Sequence, residues 1–99
     1  MKTRIVGLVT TAGCIALAIL AANAYGAIRG CGFRAGYSVS ANSSTSCAFA
    51  RNVAVAYARS GGNPRVYSPA TGRYYRMYCN RRAHFVSCSG GNNAYVRLR

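Results

Sequence analysis

Two stretches of this chain place tyrosine and arginine at alternate positions. Tyr74, Arg76 and Tyr78 share one parity of residues 73–79, and Tyr95, Arg97 and Arg99 share one parity of residues 94–99. A period of two is that of a half-buried strand. Each triplet is therefore expected on one strand face, and the two faces are expected side by side, with Arg73, Arg81 and Arg82 extending them. Guanidinium groups offer planar forks to phosphate or carboxylate, and phenol rings offer stacking surfaces of the kind that RNA-binding sheets use. The chemistry such a face performs is non-covalent: weak, salt-dependent association with an anionic polymer or an anionic membrane surface. A second candidate anion site is the start of the helix expected after Ser46. There the hydroxyls of Thr45 and Ser46 lie beside the unpaired amides of residues 47–49; ordinary capping uses the same groups.

What the chain lacks is equally informative. Its 99 residues include 13 Lys+Arg and no Asp or Glu, for a formal charge of +13. Without side-chain carboxylates there is no acid/base pair of the glycosidase kind, no oxygen cage for calcium or magnesium, and no acid to orient a catalytic histidine. Salt bridges are excluded too, apart from any made by a terminal carboxylate. The single histidine, His84, sits beside Arg81 and Arg82, where neighbouring positive charge disfavours its protonated form, and it has no second acid/base group. The serines at 43, 44 and 46 have no partner base. The sequence therefore reads as non-enzymatic, with no cofactor and no metal.

The cysteines and the N-terminus set the compartment. Residues 1–4 carry Lys2 and Arg4, residues 5–22 are apolar apart from two threonines, and Ala22-Asn23-Ala24 offers small residues around a cut after Ala24. That order is the signal-peptide order, giving a leader at 1–24 and a single mature domain at 25–99. The alternatives are an uncleaved anchor, since 18 apolar residues span about 27 Å as helix, and a lipoprotein cleavage box at residues 11–14. Past the leader remain eleven charged residues, all arginine, and Cys31, Cys47, Cys79 and Cys88. An even number of cysteines in a short exported chain reads as two disulfides, which a domain this small needs because its core is small. A four-cysteine zinc site is the competing reading, but no Cys-x-x-Cys knuckle supports it. The preferred pairing is Cys31–Cys47, tying the N-terminal segment to the helix start, and Cys79–Cys88, closing a hairpin with its turn at Ala83-His84. A turn at 80–83 instead sets Cys88 opposite Tyr75 and favours pairing Cys47 into the sheet.

These groups need elements to hold them. Residues 47–59 repeat apolar positions at three- and four-residue spacing (Phe49, Val53, Ala56, Tyr57) and end at Gly61-Gly62-Asn63-Pro64, so a helix is expected there. A short strand is expected at 34–40, followed by a loop at 42–44. Beyond Pro64 the period becomes two, with strands at 65–68, 73–79, 85–88 and 94–99 and a turn at 69–72. Short loops favour antiparallel pairing. The fold class is α+β: one helix packed on an antiparallel sheet of three to five strands. The helix is expected on the face that carries Tyr75, Met77, Val96 and Leu98, leaving the arginine face wet.

Three segments carry a resemblance: TSCAFA at 45–50 with Asn52 and Val53; YSPATG at 67–72 leading to YRMYC at 75–79; and VSCSGGNNA at 86–94. In this order the chain resembles small exported, disulfide-containing actinobacterial (mycobacterial-type) proteins of uncharacterised function. The resemblance implies export, a helix-plus-strands unit and a disulfide role for Cys47, Cys79 and Cys88; it transfers no catalytic residue and does not extend to the absence of acids. Three function classes follow: an envelope-associated protein that binds anionic polymers, a membrane-active cationic toxin or antimicrobial, and a partner-binding or inhibitory module whose charge keeps it soluble.

Overall fold

The structure is a computed structural model that describes residues 26–99; the signal peptide expected at 1–24 lies outside the described residues. In chain order the elements are β1 (Ile28–Arg34), β2 (Tyr37–Asn42), α1 (Cys47–Ser60), β3 (Arg65–Ser68), β4 (Arg73–Arg76), β5 (Tyr78–Arg81), β6 (Val86–Ser89) and β7 (Tyr95–Leu98). Five strands form one sheet in the order β1-β2-β7-β6-β5, with β3 and β4 as a separate hairpin. Every pairing is antiparallel.

Helix α1 begins where the chain can cap it. Ser46 is extended and its hydroxyl accepts from the Phe49 amide at 3.1 Å. The helix ends at Gly61, whose φ of 63° is open to glycine at little cost. Phe49, Ala50, Val53 and Ala54 are buried on its inner side, and the two alanines let the helix axis approach the sheet closely. Against them the sheet buries Val39 and Ala41 of β2, Val96 and Leu98 of β7, and Val86 and Cys88 of β6. These are in register across the strands: Ala41 with Val96, Cys88 with Val96, and Leu98 with both Val39 and Val86.

The β3–β4 hairpin closes the same side. Val66 is buried, and Tyr75 meets Phe49 edge to face with centroids 5.9 Å apart. Asn52 Nδ2 of α1 donates to the carbonyl of Tyr67 at 3.0 Å. Met77, fully buried, fills the space over Gly90; a β-carbon there would stand 2.6 Å from its sulfur. Glycine is favoured at position 90 by this close approach, with the Arg76 carbonyl also 3.2 Å from such a β-carbon, rather than by its torsion angles.

Two disulfides staple the unit: Cys31–Cys47 joins β1 to the start of α1, and Cys79–Cys88 crosses between directly paired residues of β5 and β6. The β5–β6 connection turns at Ala83-His84, with the Arg82 amide donating to the Phe85 carbonyl at 2.7 Å.

Two expectations are corrected. The strand expected at 34–40 is a hairpin, because Ala35 and Gly36 both take positive φ (54° and 85°) and reverse the chain between Arg34 and Tyr37. The strand expected at 73–79 is two strands in two sheets. At Met77 the chain leaves β3: its amide donates to the Pro64 carbonyl at 2.9 Å, and the next outward amide, of Cys79, donates to Asn63 Oδ1 at 3.1 Å. Residues 63–64 thus hold the crossing point.

Candidate functional site: the outer face of the five-stranded sheet

With α1 and the hairpin on one side, the other side of the five-stranded sheet faces outward. Register gives its composition in three rows across the strands. One row holds Tyr78, Ser89 and Tyr95. The next holds Asn80, Ser87, Arg97, Ser40 and Gly30. The third holds Arg82, Phe85, Arg99, Ser38 and Phe33, joined by the Arg82–Phe85 and Arg99–Ser38 backbone bonds and the Phe33–Ser38 pair. Rows lie two residues apart, about 7 Å, and five strands span about 19 Å.

Of the six tyrosine and arginine positions expected on one face, Tyr78, Tyr95, Arg97 and Arg99 are brought together here. Tyr74 and Arg76 are not: they belong to the separate hairpin, as a consequence of the break at Met77. There Tyr74 meets Tyr67 edge to face (5.3 Å) and carries the Arg65 guanidinium at 5.2 Å, while Arg76 donates to the Asn63 carbonyl at 2.7 Å. Arg82 extends the outer face, as expected; Arg73 lies on β4 and so does not, and Arg81 has the opposite parity, paired with buried Val86.

Two residues escaped the sequence reading. Phe85 falls within the strand expected at 85–88 but outside the expected face, and Phe33 lies in a segment whose small residues hide any alternation. The signal for Phe85 was its parity with Ser87 and Ser89, opposite to the buried Val86 and Cys88. Phe33 is 82% exposed and Tyr78 55%, so two large rings stand in solvent at opposite ends of the sheet. Arg97 is half-buried, its guanidinium lying 5.0 Å from the centre of the Phe85 ring, a cation–π arrangement. Its Nε is buried without a hydrogen-bond acceptor. A shallow hollow of about 240 Å³ opens beside it, lined by Asn80, Arg82, Phe85, Ser87, Ser89 and Tyr95. The face thus supplies cationic and neutral donors, rings and hydroxyls, and no anionic side chain competes for the donors.

The helix start is different. Thr45 is buried; its hydroxyl donates to Asn42 Oδ1 at 2.7 Å and accepts from the Tyr95 amide at 3.1 Å. With Ser46 capping Phe49, both hydroxyls are engaged within the fold. A cavity of about 120 Å³ lies alongside, where Phe49, Tyr75, Met77 and Ala94 meet the polar residues Ser44, Ser68, Thr71 and Asn92; no basic side chain lines it. His84 is exposed at the β5–β6 turn.

The remaining arginines divide by what they touch. Arg29 donates to the carbonyls of Ala41, Asn42 and Thr45, and Arg51 to the carbonyl of Cys31 at 3.1 Å. In a chain without carboxylates, backbone oxygens take their place as acceptors. These two are structural, whereas Arg82 and Arg99 are exposed on the outer face.

No family model, curated protein or solved structure matches the chain.

Proposed function

We propose that this is an exported, non-enzymatic cationic protein that associates with anionic cell-envelope polymers or another polyanion through the outer face of its five-stranded sheet. The observation that carries the reading is the gathering of Arg82, Arg97 and Arg99 with Tyr78, Phe85 and Tyr95 on the side of the sheet that neither α1 nor the hairpin covers. The two disulfides suit an oxidising compartment, and the leader-like N-terminus and the resemblance to small exported proteins support the same setting. A membrane-active helix gains no support: the apolar side of α1 is buried in the core, where an amphipathic membrane helix would need it exposed.

The test is elution from immobilised heparin. Replacing Arg82, Arg97 and Arg99 together by Gln is expected to lower the eluting salt concentration clearly more than replacing Arg34, Arg59 and Arg73, which removes the same charge elsewhere. Each lost phosphate-type contact reduces the slope of log affinity against log salt by about 0.7–0.9. Equal shifts for the two triples would show that only net charge matters and would defeat the localised face.

A further inference from the structure

We infer that the outer face is a stacking site for single-stranded nucleic acid, a ligand narrower than polyanions at large; this rests on the proposed outer-face reading. The order of the rows points to this ligand. The middle row is low on both flanks of Arg97, being built of Gly30, Ser40, Ser87 and Asn80. Rings border it on both sides: Tyr78 and Tyr95 in one neighbouring row, Phe85 and Phe33 in the other. The result is a shallow trough over β5, β6 and β7 with rings on both sides, whose low floor continues across β2 to Phe33 on β1, about 19 Å in all; Arg97 stands on that floor, and Arg82 and Arg99 in the row beside it.

A polymer that fits such a trough carries negative charge along its backbone and flat rings beside it. Single-stranded nucleic acid has both, and its unpaired bases are free to stack on aromatic side chains and on guanidinium planes. Arg97 presents a guanidinium 5.0 Å over the centre of the Phe85 ring, with an Nε that has no acceptor in the fold. Duplex DNA buries its bases, and acidic polysaccharides bring charge without flat aromatic faces. Charge alone needs no rings. Yet Phe33 is 82% exposed at the far end of this face from Tyr78, an arrangement that solubility does not call for. A second copy of the chain is a poor occupant, since each copy carries eleven arginines and no side-chain acid among its described residues.

The experiment uses the purified, disulfide-bonded protein and a fluorescein-labelled oligothymidylate of about 12 nucleotides, within the usual footprint of one small single-strand-binding fold. Anisotropy titrations are run at about 150 mM salt, beside a duplex of equal length and the heparin column. Phe33→Leu and Tyr78→Leu keep the apolar bulk and remove the ring; both positions are exposed, so folding is expected to survive, and a thermal melt checks it. Each substitution is expected to weaken oligothymidylate binding roughly 5- to 100-fold, leaving duplex binding and heparin elution unchanged. Tyr74→Leu removes a comparably exposed ring from the separate hairpin and is expected to change none of the three.

Ring variants that leave oligothymidylate affinity intact would overturn the stacking site while leaving the arginine face standing, provided the arginine triples still separate on heparin. Ring variants that weaken heparin and oligothymidylate alike would also overturn it, pointing instead to an acidic polysaccharide laid over the rings. Loss of any difference between the arginine triples would remove the underlying face as well.

Discussion

At the scale of single residues, arginine here does two kinds of work that composition cannot separate. Arg29 reaches across from β1 and ties together the carbonyls of Ala41, Asn42 and Thr45, at the point where β2 gives way to the turn before α1. Removing it takes this donor from the Ala41 and Thr45 carbonyls, while the Asn42 carbonyl keeps the Thr45 amide. Hydrogen bonds to a charged donor are worth about 1.5–3 kcal/mol when buried and less when wet. Arg29→Met is therefore expected to lower unfolding free energy by about 2 kcal/mol, whereas Arg59→Met, at the exposed end of α1, stays within about 0.5 kcal/mol. Urea midpoints of the two variants, at unchanged m-values, check this; equal midpoints would mean that the carbonyl contacts contribute nothing. The distinction was not legible in the sequence. None of the eleven described arginines is buried, and the acceptor that separates the two kinds, the backbone, leaves no mark in composition.

At the scale of elements, what the sequence told and what it hid have different physical causes. The helix was legible because Phe49, Val53 and Tyr57 keep a helical period between a hydroxyl cap and a double glycine. Strand β3 was legible in full, and β6 and β7 to within a residue at each end, because valine and leucine alternate with polar residues there. The outer face was legible in part for the same reason: Tyr78, Tyr95, Arg97 and Arg99 carry the parity. Strands β4 and β5 read as one because the alternation runs unbroken through Met77; what divides them is the change of partner from β3 to β6, distant in sequence and fastened by Cys79–Cys88. The β1–β2 hairpin was hidden because its turn uses alanine where asparagine is usual. Both turn residues have positive φ, the signature of the turn whose preferred sequence is Asn-Gly, and a left-handed residue with a β-carbon costs about 1–2 kcal/mol. Ala35→Asn is thus expected to stabilise the protein by about 1 kcal/mol, raising Tm by about 4–8 °C for a domain of this size, and Gly36→Ala to lower it. Thermal melts followed by circular dichroism decide the matter, and a lower Tm for Ala35→Asn would contradict the turn assignment.

At the scale of the whole molecule, the missing acids change how stability responds to pH and salt. Acid unfolding is driven by carboxylates that are paired or hydrogen-bonded when folded and take up protons as the chain opens. This chain has no Asp or Glu, so between about pH 5 and pH 2 the folded and unfolded forms bind nearly equal numbers of protons, a terminal carboxylate aside. With almost no difference in protons bound, the slope of stability against pH is close to zero, and Tm at about pH 2.5 is expected within about 3 °C of its value at pH 5. The repulsion among eleven arginines is equally indifferent to pH in this range but not to ionic strength. Raising salt from about 10 mM to 500 mM shortens the screening length from about 30 Å to under 5 Å, so Tm is expected to rise with salt at either pH. Polyanions are expected to stabilise further at low salt by binding the folded face. A cooperative loss of structure between about pH 4 and 2 would contradict this, because no side-chain carboxylate is there to drive it. A Tm insensitive to salt would mean that the carbonyl and ring contacts of Arg29, Arg51, Arg76 and Arg97 already neutralise the repulsion, and it would weaken the case that the outer face needs an anionic partner.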